Sequence, residues 1–178
     1  ETVFPAGKAT NVARGLGRLG IPVSLVAPVG RDEEPDFIHV LRQDGVAPRL
    51  HGVESGTRRN IKLLDPSTGA ETQLDQPGRP LSSADLCRLE ENLLEELPSA
   101  RSLALTGSAP PGVPDDIFAR WIGLARAAGV RVALDTGGGR LRLGIAERPW
   151  LIKINRHELE EYDRMAVGGE GAAIEVMK

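Results

Sequence analysis

The sequence predicts an α/β fold with a mostly parallel sheet and a small antiparallel lid. Short apolar runs such as Val23–Val29 alternate with amphipathic segments along most of the chain, which indicates βαβ units with helices packed on a sheet. Residues 48–75 break this alternation with three strand-like pieces, RLHGV, TRRNIKLL and AETQL, and DPSTG is a hairpin-type turn between the last two. We therefore expect an α/β core over residues 8–47 and 76–178, with lid strands inserted over about 48–75.

The first helices and the first strand follow from the spacing of apolar residues. Asn11–Leu19 has the helical period, Val23–Val29 is expected to be a buried strand, and Glu33–Gln43 a second helix. The string GLGRLG spells the dinucleotide fingerprint GxGxxG, but it closes a helix instead of leaving a strand, so we interpret Gly20 as the helix C-cap. AGKAT also differs from a Walker phosphate loop, because alanine follows its lysine where serine or threonine is required.

Strands and helices alternate again after the lid. Ser82 or Ser83 is the expected N-cap of the next helix, and Pro114 is expected to open the one after it. The core side of that later helix is expected to carry Ile117, Trp121, Leu124 and Ala128. The other expected elements are the strands SLAL, RVALD and WLIKI, the helices Gly139–Ala146 and Arg156–Tyr162, and the start of a further helix in GGEGAAIEVMK.

Composition and charge exclude several classes of protein. The formal net charge of −3 provides no basic surface for nucleic acid, and the sequence has no run of about 18 apolar residues that could span a membrane. Cys87 is the single cysteine and cannot form an internal disulfide, which favours a reducing cytoplasm. The three histidines, His39, His51 and His157, lack metal-ligand spacing.

The strand TRRNIKLL carries the first candidate site. Side chains alternate along a strand, so Arg58, Asn60 and Lys62 share one face. The opposite face carries Arg59, Ile61 and Leu63. A cationic, polar face suits a lid that closes on a phosphorylated small molecule, because guanidinium binds phosphate through paired N–H donors. The alternative is a solvated polar face on an edge strand.

Three more candidate strings follow strand ends. In GSAPPGVPDD, Ser108 and nearby N–H groups lie where an anion or a hydroxyl could dock, and the alternative is an ordinary turn into a helix. In LDTGGG, Asp135 could join a magnesium site through water or cap a glycine-rich turn. In LIKINRHEL, Lys153 ends a strand, and Asn155 with Glu158 could order water around a metal–phosphate complex or form a capping box.

In this order the strings resemble the phosphofructokinase B family of carbohydrate kinases within the ribokinase-like superfamily, and most closely its 1-phosphofructokinase and tagatose-6-phosphate kinase branch. PAGKATNVARGLGRLG is similar to that branch's PGGKGxNVAR segment, GTRRNIKL to its TRxNxK lid strand, and GSAPPGV to its GSLPPGV turn. LDTGGG and LIKINRHEL are similar to its LDTSG and KPNxxE elements. The resemblance runs from about Glu1 to Tyr162 and implies a three-layer α/β/α fold with a β lid, here incomplete.

The resemblance also implies roles for individual residues. The residues that match the family's sugar-phosphate site are Gly7, Lys8, Asn11, Arg58, Asn60 and Ser108, with Arg58 at the substrate's phosphate. Those that match its nucleotide and magnesium site are Lys153, Asn155 and Glu158, and Asp135 is a further candidate for the metal. The implied cofactors are ATP and Mg²⁺. The implied partners are a sugar phosphate and a second copy of the chain bound through the β lid.

The sequence departs from the family pattern in two ways. Ala6, Ala9 and Ile154 stand where the family has glycine, glycine and proline, so we expect a narrower sugar pocket or weaker binding. The family's first strand, with a sugar-binding aspartate, is expected to precede this start, and GAGD, with the catalytic aspartate, to follow this end. GAGD occurs nowhere in these 178 residues, so we expect them to have no kinase turnover alone and to fold marginally or associate.

Two other functions fit the same residues. One is a non-catalytic remnant that binds a sugar phosphate. The other is a ribokinase-like kinase of an unphosphorylated sugar or a nucleoside. Arg58 and Lys62 argue against this last function, because a neutral ligand would leave a cationic face unpaired.

Overall fold

The chain folds as two units, each with its own parallel strands. The computed structural model describes residues 4–167, with side chains through residue 163, so the helix expected in GGEGAAIEVMK lies outside the described residues. The first unit comprises the residues up to Glu96 together with Ala109–Val113. The second comprises Leu97–Ser108 together with the residues from Pro114 onward. Within the described part of the chain, no helix combines the length and the apolarity needed to cross a bilayer.

In the first unit, two helices pack on a parallel strand pair. β1 (Val23–Gly30) pairs with β2 (Val46–Val53) in register along its whole length. α1 (Lys8–Arg18) precedes β1, and α2 (Glu34–Gln43) connects the two strands. The core between these helices and the strands consists of Ala13, Leu25, Leu41 and Val46.

α3 (Ser83–Glu96) contacts the opposite face of the same strand pair. Its Glu96 carboxylate accepts hydrogen bonds from Ser24 Oγ on β1 (2.5 Å) and from Arg49 Nε on β2 (2.6 Å). Ser24 and Arg49 each stand next to a residue that packs in the core, Leu25 and Leu50. Because successive side chains of a strand point to opposite faces, Ser24 and Arg49 lie on the face away from that core. The first unit therefore has a helical layer on each side of its strands.

The antiparallel lid contains β3 (Asn60–Leu64) and β4 (Glu71–Asp75), which pair with each other. The lid range expected from the sequence began at residue 48, whereas residues 48–53 belong to β2 and pair in parallel with β1. Leu50 of this segment packs against the core of the first unit. Partial burial of that side chain against the core favours pairing of the segment with β1 and not with the lid.

The turn expected in DPSTG connects the two lid strands. The Asp65 carboxylate accepts hydrogen bonds from the Ser67 hydroxyl (2.6 Å), the Thr68 hydroxyl (2.8 Å) and the Ser67 N–H (2.8 Å). These hydrogen bonds, the Ser67 hydroxyl first, lower the pKa of Asp65 to about 2. The side chain thus fixes the turn in the way that its residue types predict.

The second unit contains a three-stranded parallel sheet in the order β5–β6–β7. Its strands are β5 (Ser102–Thr106), β6 (Arg131–Asp135) and β7 (Leu151–Ile152). Its helices are α4 (Ile117–Ala127), α5 (Gly138–Ala146) and α6 (Arg156–Val167), and a 3-10 turn, Leu97–Ser99, precedes β5. α4 and α5 pack against β6, whose Leu134 is fully buried.

α4 differs from the expectation in its start and in its buried face. It begins at Ile117 and not at Pro114, and its buried residues are Ile117, Phe118, Ile122 and Ala125. This set and the expected one both have helical spacing, so periodicity did not distinguish them. A Cβ atom on Gly144 of α5 would lie 3.4 Å from Ile122 Cδ1, so α5 packs against the Ile122 side of α4 and selects that face.

α1 ends at Arg18 with Leu19 as its C-cap, so Gly20 is the residue after the cap and not the C-cap that the sequence predicted. The Gly20 N–H donates to the Gly17 carbonyl (2.9 Å) and the Ile21 N–H to the Leu16 carbonyl (3.0 Å), the two hydrogen bonds of a Schellman motif. Gly20 has a φ of 74°, which favours glycine. Gly17 serves packing instead, because a Cβ there would overlap with the backbone oxygen of Asp44.

We expect Gly17→Ala to lower the free energy of unfolding by about 2 kcal/mol or more, because the new Cβ must displace the backbone before β2. Gly15 lies on the same helix, and a Cβ there would meet no atom outside the helix within 4 Å. Gly15→Ala should raise the free energy of unfolding by about 0.5–1 kcal/mol through helix propensity. Urea denaturation of both variants measures these changes. Equal effects of the two substitutions would contradict the close contact at Gly17.

A polar cluster joins β2 to the start of α3. The Asp85 carboxylate accepts hydrogen bonds from the Ser82 hydroxyl (2.6 Å) and the Ser82 N–H (3.0 Å), and contacts His51 Nε2 at 2.8 Å. The Asp85 N–H donates in return to Ser82 Oγ (3.1 Å), so Ser82, not Ser83, caps the helix. The Ser82 hydroxyl first, and His51 second, hold the pKa of Asp85 below its ordinary value.

The lowered pKa of Asp85 predicts an acid-sensitive contribution to stability. Because the folded state depresses this pKa, the contribution is present above the ordinary value of 3.8 and is lost as the pH falls through the lower folded value. The free energy of unfolding of Asp85→Asn should therefore fall less steeply than that of the unaltered chain as the pH is lowered from about 4. Chemical denaturation over this decrease in pH measures both slopes. Asp36→Asn controls for the loss of one exposed carboxylate, and parallel slopes for Asp85→Asn and the unaltered chain would refute the assignment.

Candidate functional site

The first candidate group lies at the start of α1. Gly7 precedes the helix with a φ of 124°, and its carbonyl accepts a hydrogen bond from the Asn11 N–H (2.8 Å). A Cβ here would meet Thr10 Oγ1 at 3.9 Å, so the backbone angle and not lack of space requires glycine. Lys8 and Asn11 are exposed beside it. The segment therefore presents an ammonium group, an amide and helix N–H groups at one end of α1.

Two alanines of this segment replace glycines of the family pattern, in different surroundings. Ala9 is partly buried and packs against the core of the first unit, so its methyl group lies on the core side of α1. Ala6 is exposed ahead of the helix. The expectation of a narrower sugar pocket therefore applies to Ala6 more than to Ala9.

The second candidate group lies at the base of the lid. Arg58 comes shortly before β3 and is exposed, and its aliphatic stem lies beside Gly78, where a Cβ would be 3.7 Å from Arg58 Cβ and Cδ. Gly78 has a φ of 77°, so the chain that leaves the lid passes Arg58 in a conformation that favours glycine. Asn60 is exposed at the start of β3. The first lid strand thus presents a guanidinium and an amide.

The polar face of the lid is not cationic as a whole, contrary to the expectation. Lys62 Nζ donates a hydrogen bond to Glu71 Oε1 of β4 at 2.7 Å. Asp75 of the same strand stands directly opposite Asn60, on the face that Lys62 also shares. β4 therefore adds two carboxylates to this face, which an analysis of β3 by itself could not include. Lys62 therefore has a carboxylate neighbour on its own face of the lid.

In the second unit, polar residues follow the carboxyl ends of β6 and β7. Lys153 Nζ donates to Asp135 Oδ1 at 3.3 Å, and the Lys153 N–H donates to the Leu134 carbonyl at 2.8 Å. The Asp135 side chain is 22% exposed and that of Lys153 59% exposed. Gly137, not Asp135, is the N-cap of α5. Asp135 therefore pairs with the lysine and is not the N-cap of α5, which was one of its two expected roles.

Asn155 and Glu158 form the expected capping box at the start of α6. Asn155 Oδ1 accepts a hydrogen bond from the Glu158 N–H, and Glu158 Oε2 accepts one from the Asn155 N–H, both at 2.9 Å. A Cβ on Gly137 would lie 3.8 Å from Glu158 Oε1, so this carboxylate also lies against the turn that follows β6. The box therefore holds Glu158 at the rim that carries Asp135 and Lys153.

Ser108 follows β5 and is exposed at the same edge of the sheet. The preceding residue, Gly107, has a φ of 93°, its N–H donates to the Asp135 carbonyl (2.9 Å), and its carbonyl accepts a hydrogen bond from Thr136 Oγ1 (2.9 Å). Thr136 is 2% exposed. The sequence motifs do not indicate this role of Thr136. Its signal was a hydroxyl residue directly after RVALD, where it can reach the turn of the neighbouring strand.

The rim of the second unit has the donor set of a water-mediated magnesium site. Among residues 4–167, no three carboxylate, histidine or cysteine side chains meet to form a metal cage. Mg²⁺ does not need one, because it keeps several waters beside one or two carboxylates. Asp135 and Glu158 supply two carboxylates and Asn155 an amide, and the ammonium group of Lys153 is suited to phosphate. These residue types fit a hydrated Mg²⁺–phosphate complex.

The candidate residues expected from the sequence divide between the two units. The first unit contains Gly7, Lys8, Asn11, Arg58 and Asn60. The second contains Ser108, Asp135, Lys153, Asn155 and Glu158. Contacts join Lys153 to Asp135 and Asn155 to Glu158 within the second unit.

Comparison with known proteins gives consistent matches along the chain. The model of the pfkB family of carbohydrate kinases matches residues 2–165. The 1-phosphofructokinase of Haemophilus influenzae is 34% identical over 160 residues, covering 90% of this chain and 51% of that protein. The 1-phosphofructokinase of Escherichia coli K12 is 33% identical over 155 residues, covering 87% and 49%. The chain thus spans about half the length of the curated relatives it matches.

Solved structures show the same fold. A point variant of phosphofructokinase-2 from Escherichia coli matches with a TM-score of 0.82 and 27% identity, over 92% of this chain and 53% of that one. Phosphofructokinase-2 from Escherichia coli in complex with fructose-6-phosphate matches with a TM-score of 0.76 and 26% identity, over 92% and 58%. A possible 1-phosphofructokinase of Thermotoga maritima matches with a TM-score of 0.75 and 21% identity, over 100% of this chain and 57% of that one. These matches confirm the predicted ribokinase-like α/β fold with a small antiparallel lid.

Proposed function

Because the chain belongs to the pfkB family of carbohydrate kinases, we propose that it is part of an enzyme that transfers a phosphoryl group from ATP to a hydroxyl of a sugar phosphate. The acceptor is of the fructose 1-phosphate or tagatose 6-phosphate type. The observation that carries this proposal is the exposed Arg58 at the base of the lid, in a chain whose relatives include 1-phosphofructokinases. One similar structure contains fructose-6-phosphate, a ligand of the same chemical class.

The first unit would supply most of the contacts to the sugar phosphate. The planar guanidinium of Arg58 is suited to the phosphate because it donates two parallel N–H groups, and Asn60 can add an amide donor. Gly7, Lys8 and Asn11 at the start of α1 offer N–H, ammonium and amide groups to sugar hydroxyls.

The second unit would bind the phosphates of ATP. Lys153 can contact a phosphate, while Glu158, Asn155 and Asp135 can hold Mg²⁺ through water. Mg²⁺ bound there supplies positive charge to the phosphates during transfer. The GAGD string with the family's catalytic aspartate is not in this sequence, so these residues bind and orient the reactants without supplying the base.

We also propose that the lid binds a second copy of the chain. Ile61 and Leu63 of β3 share a face with Leu74 of β4, and they are 47%, 56% and 52% exposed. Adjacent apolar side chains exposed on a two-stranded ribbon are typical of an interaction surface. A tetrameric form of Escherichia coli phosphofructokinase-2 is among the similar structures, with 25% identity and a TM-score of 0.77.

A coupled ATP assay on the product of the complete reading frame tests the kinase proposal. We expect turnover with fructose 1-phosphate or tagatose 6-phosphate, and none from residues 1–178 alone. Arg58→Ala should raise the KM for the sugar phosphate about tenfold or more, because it removes a charge-assisted bidentate contact. Lys62→Ala on β3, just after Arg58 in the chain, is the matched control and should change the KM by less than about twofold, since Lys62 pairs with Glu71.

Other outcomes of the assay would favour the other functions. No turnover with any phosphosugar, together with calorimetric binding of fructose 1-phosphate, would indicate a non-catalytic binding protein. Turnover with an unphosphorylated sugar or a nucleoside, but not with a sugar phosphate, would overturn the proposed substrate class.

Sedimentation equilibrium tests the lid contact. The unaltered chain should form a dimer, and Leu63→Asp should be monomeric because it places a charge in the apolar patch. Gln73→Asp adds the same charge to the opposite face of the lid and should leave the dimer intact. An unaltered chain that sediments as a monomer, or a Leu63→Asp variant that still dimerises, would refute the lid as the interface.

A further inference from the structure

The two residues that flank Arg58 both donate hydrogen bonds to the carboxylate of Glu33. On one side, Thr57 Oγ1 accepts a hydrogen bond from the Gly30 N–H at 2.8 Å and donates to Glu33 Oε2 at 3.5 Å. On the other side, Arg59 Nη2 donates to Glu33 Oε1 at 3.3 Å. The two oxygens of Glu33 therefore hold the chain before and after Arg58.

Glu33 is itself well anchored in the first unit. Its N–H donates to the Gly30 carbonyl at 3.0 Å, and its carbonyl accepts the first hydrogen bond of α2, from the Phe37 N–H at 3.1 Å. Its side chain is 31% exposed and forms no capping hydrogen bond with α2, although it occupies the N-cap position. The carboxylate is thus directed to the base of the lid and not to its own helix.

The approach of the lid base to β1 is close enough to require glycine at position 30. A Cβ on Gly30 would overlap with the Glu33 carboxylate and would lie 2.6 Å from the Thr57 N atom. Gly30 is the last residue of β1, so the carboxyl end of this strand, the start of α2 and the base of the lid meet at one point. We name this contact of Gly30, Glu33, Thr57 and Arg59 the lid anchor.

We propose that Glu33 is a positioning residue that orients Arg58 toward the phosphate of the ligand, an inference that rests on the proposed function of Arg58. A guanidinium on a two-stranded ribbon must lose conformational freedom when it binds phosphate, and this loss weakens binding. Fixing the backbone on both sides of Arg58 removes part of that loss before the ligand arrives. Glu33 contacts the neighbours of Arg58, so its effect is confined to the phosphate end of the ligand.

Calorimetry with a pair of ligands separates this role from a purely structural one. Fructose 1-phosphate and fructose differ in the phosphate, so the ratio of their dissociation constants measures what the phosphate contributes to binding, and Arg58→Ala gives the share that depends on Arg58. Glu33→Ala and Thr57→Val should each lower the preference for the phosphorylated sugar about fivefold or more. Thr57→Ser keeps the hydroxyl and should retain the preference. If Glu33 had only a structural role, Glu33→Ala would weaken the binding of both ligands equally and leave the ratio of their dissociation constants unchanged.

The controls distinguish failure of this inference from failure of the proposed function. Asp32→Asn removes a neighbouring exposed carboxylate and should leave the ratio unchanged. If Arg58→Ala lowers the preference while Glu33→Ala does not, Glu33 does not position Arg58 and the proposed function stands. If Arg58→Ala leaves the preference for the phosphorylated sugar unchanged, or if the unaltered chain has no such preference, Arg58 does not bind the phosphate. The positioning role of Glu33 is then refuted as well.

Hydrogen exchange tests the lid anchor without any ligand. Glu33→Ala should speed exchange in a peptide that covers residues 57–64, and should leave a peptide from β5 and β6 unaffected. If residues 57–64 exchange at the same rate in Glu33→Ala as in the unaltered chain, Glu33 does not stabilise the lid anchor and the inference is refuted. Faster exchange along the whole first unit would show that Glu33 stabilises the unit and not the lid base.

Discussion

Parallel pairing in register is the constraint on which the rest of the structure depends. β1 and β2 end together at Gly30↔Val53, and β5 and β6 end together at Thr106↔Asp135. Strands that end together bring the residues after them into contact although these are far apart in sequence. Gly107, for example, donates its N–H to the Asp135 carbonyl at 2.9 Å. The backbone thus assembles the polar rim of each unit, and side-chain contacts then orient individual groups.

Several cationic side chains of the lid and of the second unit form ion pairs with carboxylates of the same chain. Lys62 is bound to Glu71 on the neighbouring lid strand, and Arg59 is bound to Glu33 at the lid anchor. Lys153 contacts Asp135, where a carboxylate and an ammonium group lie side by side, an arrangement suited to a hydrated cation and a phosphate. The formal charge of a strand is therefore a poor guide to its chemistry until its partner strand is known.

The sequence predicted best those features that depend on residues close together in the chain. The turn at Asp65, the glycine that follows α1 and the capping box of Asn155 and Glu158 all form through hydrogen bonds that span at most five residues. Short-range hydrogen bonds of this kind form wherever the residue types stand at the right spacing. The alternation of strands and helices was predictable for the same reason. The roles of Gly7, Asn11, Arg58 and Ser108 stay predictions, since they depend on ligands.

By itself, then, the sequence determined the order of the elements, the turn at Asp65, the capping box of Asn155 and Glu158, and the family to which the motifs belong. Tertiary structure decided that residues 48–53 pair with β1, that α4 buries its Ile122 side, and that Glu71 neutralises Lys62. It also decided that Thr136 would reach Gly107, 29 residues away, and that Glu33 would hold Thr57, 24 residues away. Each of these outcomes depends on which strand or helix lies alongside, and helical or strand periodicity leaves more than one such neighbour possible. Packing and register select among them, and a pattern within one segment carries no information about its neighbour.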